Sequence, residues 1–260
     1  MKPRLRFLHH PERRRAAVAG WLLPAVLFLA AGIGRAANVN DFFAQGLADY
    51  RAGLFPEAAA AFEKALQQQP SVGALDNLGL AEWQRGHAGA AILAWERAQW
   101  VDPFDARSRA NLQFARQALQ LDPPALKWFE AVSTRLSAAA WLWLTGVSLW
   151  VMAGALILPG VFRRRLAGWP QILATLAFCV FLFGLTANLG VVSRGHLGLV
   201  IKTDAPLRLT PTRDSEVIAT LNEGEPARQL RTRGNYYLIR TLFGTGWIER
   251  GQFGLICPEK

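Results

Sequence analysis

The sequence predicts a multidomain chain: an α-helical repeat solenoid, a two-helix transmembrane hairpin and a small β-barrel, in that order. Three observations carry this expectation. Three long runs lack any charge, a stretch in the first half repeats itself 33 residues further on, and the last quarter breaks into short alternating runs between turn residues.

Of the 260 residues, 52% are hydrophobic and 18% charged, too apolar a balance for an ordinary soluble domain. Residues 16–34, 138–158 and 172–192 hold no Asp, Glu, Lys or Arg. A helix needs roughly 20 residues to cross the hydrocarbon layer. A buried core helix is the competing reading, but one of this length would carry a polar face. Trp141 and Trp169 suit the interfacial belt, and Asn188, near the end of the last run, reads as a residue wetted at the interface.

The first run follows the basic stretch Lys2, Arg4, Arg6, Arg13, Arg14 and Arg15, and is followed by the small residues Gly34 and Ala36. Residues 1–36 therefore read as a signal peptide cleaved after Ala36 or as an N-terminal membrane anchor; the topology is the same in both cases. The net charge of +10 is concentrated beside apolar runs. Residues 1–36 carry seven basic side chains against one acidic, and Arg163, Arg164 and Arg165 lie between the second and third runs. Residues 37–137 hold nine basic and eleven acidic side chains. Charge placed this way sets membrane orientation rather than a nucleic-acid surface. It predicts a cytoplasmic basic loop at 159–171 and puts both 37–137 and 195–260 on the periplasmic side of a bacterial inner membrane. The two cysteines, Cys179 and Cys257, fall in different regions and predict no internal disulfide.

The repeat occupies 37–121. Gly46, Ala48, Tyr50, Gly53, Ala58, Phe62, Ala65 and Pro70 recur as Gly79, Ala81, Trp83, Gly86, Ala91, Trp95, Ala98 and Pro103. Small residues let two antiparallel helices approach, bulky aromatics fill the space beside them, glycines serve the helix–helix turn and prolines end each pair. The pattern resembles tetratricopeptide repeats, whose usual period is 34, although the family's early tryptophan is not kept. Residues 106–121, where Asn111-Leu112 echoes Asn77-Leu78, read as a capping first helix of a third unit. The resemblance implies a groove lined by first helices, which makes Tyr50, Arg51, Trp83 and Gln84 candidate partner-binding residues; the same tyrosine and tryptophan also read as packing between helices. Residues 122–137, beginning Asp122-Pro123-Pro124, read as a linker.

Beyond residue 195, strands are expected at 196–202, 207–209, 217–221, 227–231, 236–240 and 246–248. The order Leu207, Leu209, Ser215, Leu221, Gly224, Tyr237 and Gly246-Trp247-Ile248 resembles bacterial SH3-like domains. That resemblance implies binding of cell-wall peptides or protein segments, or a structural role. Trp247 reads as strand packing, whereas Tyr236 and Phe243, flanked by turns, are candidate surface contacts.

Enzyme chemistry has no foothold in these motifs. His9, His10, His87 and His196 are scattered, and there is no metal-spaced cluster, nucleophile elbow or phosphate-binding glycine loop. No cofactor is expected. The whole order resembles the BatE-type proteins of bacterial aerotolerance operons, carried by Asn77-Leu78-Gly79, Trp95-Glu96-Arg97-Ala98, Asp102-Pro103 and the hairpin and barrel that follow. This resemblance implies a scaffold acting with von Willebrand A-domain membrane proteins and a MoxR-type ATPase in envelope stress. The alternative expectation is a membrane-anchored sensor that binds peptidoglycan through its β domain.

Overall fold

A computed structural model of the chain describes residues 36–161 and 168–257. The expected signal or anchor segment and the loop arginines Arg163, Arg164 and Arg165 lie outside the described residues. Within them are eight α-helices and a seven-stranded antiparallel sheet.

The first five helices are α1 (Ala36–Arg51), α2 (Phe55–Gln68), α3 (Val72–Gln84), α4 (Ala88–Val101) and α5 (Ala106–Leu119). They pack as antiparallel neighbours. Gly53 and Gly86 take positive φ, 77° and 79°, at the turns joining α1 to α2 and α3 to α4. The paired small and aromatic positions meet: a side chain at Gly46 would strike the Phe62 ring, and one at Gly79 would strike the Trp95 indole. Ser71 and Asp105 cap α3 and α5 by accepting the backbone N–H three residues on, at 3.2 and 2.9 Å. Asp76, buried in α3, accepts from Ser108 Oγ (3.2 Å) and Asn111 Nδ2 (3.0 Å) of α5. Its backbone carbonyl accepts from Trp95 Nε1 (3.2 Å).

Residues 122–137 are not simply a linker. They contain a short helix, α6 (Trp128–Ser133), which closes on itself through Glu130 Oε2 accepting the Lys127 N–H at 2.9 Å. Two long helices follow, α7 (Ala138–Val161) and α8 (Trp169–Arg194). Both are long and apolar enough to span a membrane. Only 11% and 22% of their most apolar windows are buried, so neither is enclosed like a core helix. Trp143, Trp150 and Trp169 are among their exposed side chains.

The two long helices pack together, and the buried residues of α8 are all small: Ala174, Ala177, Gly184, Ala187 and Gly190. Gly184 faces Thr145 of α7, and Gly190 faces the backbone of Phe129 in α6. Asn188 is not simply wetted. Its Nδ2 donates toward Gly184 O (2.8 Å), Thr145 Oγ1 (2.9 Å) and Trp141 O (3.3 Å), binding α7 to α8. Trp141 likewise is buried against protein, its Nε1 donating to Ser133 O at 3.1 Å.

The strands are β1 (Leu197–Val200), β2 (Ala205–Arg208), β3 (Val217–Leu221), β4 (Pro226–Arg233), β5 (Tyr236–Thr241), β6 (Gly244–Glu249) and β7 (Phe253–Leu255). Their order in the sheet is β3-β2-β6-β5-β4-β1-β7. The expected barrel is therefore open, because the edge strands β3 and β7 do not pair with each other. A reason lies in β7, which sequence pattern did not reveal: it takes the free edge of β1 and directs it toward the helices. Bulges at Leu207/Arg208 and Gln229/Arg231 bend the sheet around a core of Val200, Leu207, Leu221, Ile239, Ile248 and Phe253.

Helices and sheet share a second core. Ile92, Leu93 and Trp95 of α4, with Leu112 and Ala115 of α5, pack against Leu197, Leu199 and Ile256. Gly89 lies so close to the Val200 carbonyl that a Cβ there would clash, and its N–H donates to Glu223 at 3.1 Å. Arg97 donates through Nε and Nη2 to Leu255 O at 3.0 and 2.9 Å. Residues far apart in sequence thus fasten the sheet to α4.

Candidate functional site

The four helical candidates do not form one cluster. Tyr50, at the end of α1, is half-buried and meets Phe55 edge-on with ring centroids 5.4 Å apart, while Arg51 beside it is exposed. Trp83 is half-buried between Trp95 (6.1 Å) and Phe114 (5.7 Å), so it joins α3, α4 and α5; Gln84 is exposed. Equivalent positions in the repeat therefore have different neighbours. The aromatic surface continues where sequence reading had singled out nothing: Phe104 is 68% exposed and Phe114 60% exposed. Their signal was available, since Phe104 follows Pro103 in a turn and Phe114 shares its helix with Arg107, Arg109 and Arg116, a setting that leaves apolar rings on a polar surface.

On the sheet, Tyr236 and Phe243 lie at opposite ends of β5 and β6. Tyr236 opposes Glu249, whereas Phe243 belongs to the turn joining Thr241 to Gly244. Tyr236 lines a cavity of about 200 Å³ with Arg208, Arg213 and Glu249, the last two 3.6 Å apart. Phe243 stands out from the hairpin tip beside Leu242, which is 93% exposed. Trp247 is half-buried and opposes Leu238 on one side and Arg208 on the other.

The most tightly bonded polar group was missed by sequence reading. Glu130 of α6 is fully buried, and Arg228 of β4 reaches its two carboxylate oxygens at 2.9 and 3.0 Å. Ser193 Oγ of α8 donates to the same carboxylate, and Arg228 Nη1 donates back to Ser193 O at 2.9 Å. Burial alone would push the Glu130 carboxyl up. The hydrogen bonds from Ser193, the Lys127 N–H and Arg228, with the Arg228 charge, outweigh it and hold the carboxyl below its ordinary value. One ion pair therefore joins α6, the end of α8 and the sheet.

A second carboxylate nearby behaves oppositely. Glu96 of α4 pairs with Arg116 of α5. Burial raises its carboxyl above the ordinary value, and the charges of Arg116 and Arg194 only partly offset this. Arg194 itself lies over the Trp100 ring, 4.7 Å from its centroid. Charged residues separated by up to 98 positions are involved, which explains why no local motif marks them. No protein-family model matches the chain, and no curated protein is significantly similar to it.

Proposed function

We propose that this chain is a membrane-anchored scaffold whose helical region, a tetratricopeptide-like solenoid, docks a partner protein. The observation that carries this reading is the exposed aromatic surface formed by Phe114 of α5 and Phe104 in the turn before it. Phe104 and Phe114 remain exposed where a further antiparallel helix would cover them in a longer array, and Trp83 continues the surface inward. Gln84, next to Trp83, and Arg51, exposed separately at the end of α1, offer groups able to hydrogen-bond a peptide backbone.

The two long helices serve as the anchor in this reading, because their flanks are apolar and largely uncovered. The sheet, fastened to α4 and α6, braces the helices against the membrane. The basic loop arginines favour the periplasmic side of a bacterial inner membrane for both regions. The resemblance to BatE-type proteins points to von Willebrand A-domain membrane proteins and a MoxR-type ATPase system as partners, and the scaffold has no catalytic role.

Photo-cross-linking residues at positions 50, 84 and 114 test this in native membranes. A discrete protein adduct that disappears on Phe114→Ser supports the scaffold; absence of any adduct at all three positions overturns it. Single cysteines in 37–137, 159–168 and 194–260, probed with an impermeant thiol reagent, test the topology. Labelling of the first and last regions without the middle one is expected, and any other pattern removes the hairpin anchor.

A further inference from the structure

The end of α8 carries a second feature that the scaffold reading does not use. A cavity of about 260 Å³ lies between α4, α5, the Pro123-Pro124 strap and the start of β1. By the same measure a single water needs roughly 10–15 Å³. Three arginines line it, Arg109, Arg116 and Arg194, against one carboxylate, Glu96. Glu96 is tied to Arg116 and also feels the Arg194 charge, so three guanidinium groups share one carboxylate among the lining residues.

Arg194 is held in place without being satisfied. Its guanidinium lies on the Trp100 ring and Nη2 donates to Ser133 O at 3.3 Å, but Nε is buried with no hydrogen-bond partner. A buried donor without an acceptor is costly, so this guanidinium is held by the protein with bonding capacity unused. Guanidinium forks match the oxygens of a phosphate, and their charge strengthens each bond. Apolar Leu112, Leu126 and Ile256 line the rest of the cavity, which suits a group with a hydrocarbon part.

Position selects the source. Helix α8 has 26 residues and is about 39 Å long at 1.5 Å per residue, against a hydrocarbon thickness of about 30 Å. Its last residue, Arg194, therefore extends into the headgroup layer if α8 spans the bilayer. Thr134, just before α7, borders the same cavity.

We propose that this cavity is a phosphate site, filled by the headgroup of an anionic lipid. The lipid source rests on the membrane-anchor reading; the phosphate site does not.

The test uses the full chain purified in detergent, with retained lipid read by native mass spectrometry. Added phosphatidylglycerol, phosphatidylcholine and inorganic phosphate are compared for the unmodified protein, Arg109→Gln and Arg194→Gln. Retention of phosphatidylglycerol over phosphatidylcholine, reduced roughly tenfold by either substitution, is the expected result. Arg109 is exposed on α5, so its substitution keeps the test decisive if Arg194→Gln fails to fold. Competition by millimolar inorganic phosphate alone, with no preference between lipids, would retain the site and overturn the lipid source. Lipid retention unaffected by Arg109→Gln, together with no phosphate effect, would overturn the proposal. Both readouts are made without a bilayer, so they stand apart from the thiol-labelling test of the anchor.

Discussion

Gly46 and Gly79 stand where a side chain would strike Phe62 and Trp95, so the 33-residue repeat has a steric cause. Glycine in an exposed helix costs about 1 kcal/mol relative to alanine. Overpacking a filled core costs about 1–3 kcal/mol. The second effect wins at Gly79, because the rigid Trp95 indole is both buried and hydrogen-bonded. Gly79→Ala is expected to lower stability by about 1–2 kcal/mol in urea unfolding. Gly146→Ala in α7, where nothing lies within 4 Å of the added carbon, is expected to be neutral or slightly stabilising. Asp105 makes a comparable single-residue contribution: the Ser108 N–H and hydroxyl hold its carboxyl below the ordinary value. Asp105→Ala is expected to cost about 1 kcal/mol, read in the same melts. Both glycines and the Asp105 cap are legible locally, since each depends on neighbours within one repeat.

At the level of elements, the contacts between α6, α8 and β4 set the pH behaviour. Glu130 has a depressed folded pKa, so its stabilising contribution is complete above the ordinary carboxylate value of about 4.3 and is lost as pH falls through the lower folded value. Glu96 has a raised folded pKa, so its contribution runs the other way: stability is lost as pH rises from about 4.3 through the folded value. Urea midpoints of the unmodified protein against Glu130→Gln and Glu96→Gln, between about pH 3 and 7, should therefore diverge with opposite slopes. The advantage of the unmodified protein over Glu130→Gln should grow with pH, and so should the advantage of Glu96→Gln over the unmodified protein. Equal slopes would remove this assignment. Arg228→Gln is expected to cost roughly 3 kcal/mol, the low end for a broken buried pair, because Arg228 keeps some solvent contact while Glu130 has none. Sequence patterns located α7, α8 and most of the strands but not this pair, whose members follow no common periodicity.

Across the whole molecule, the sheet and the helical region are not independent beads on a membrane anchor. Leu197, Leu199 and Ile256 are buried against α4 and α5 rather than inside the sheet's own core. Residues 195–260 made alone should expose this apolar surface. They are expected to bind a hydrophobic dye and to exchange amide hydrogens faster in β1 and β7 than the full chain does. Equal protection in both forms would show that the sheet is self-sufficient. Exposed Phe104, Phe114, Leu242 and Phe243 lie outside these shared cores, so they are available to partners without disturbing the fold.

Sequence by itself determined the local features: helix and strand positions, glycine turns, aromatic–glycine pairing and two apolar helices of membrane length. These depend on periodicity, run length and backbone freedom, which neighbouring residues set. Tertiary structure alone decided that the sheet stays open, that Asn188 and Trp141 are bonded between elements, and that Glu130, Arg228 and Ser193 meet. Those outcomes depend on desolvating charged and polar groups against partners up to 98 positions away, and their free energy exists only once the elements have packed.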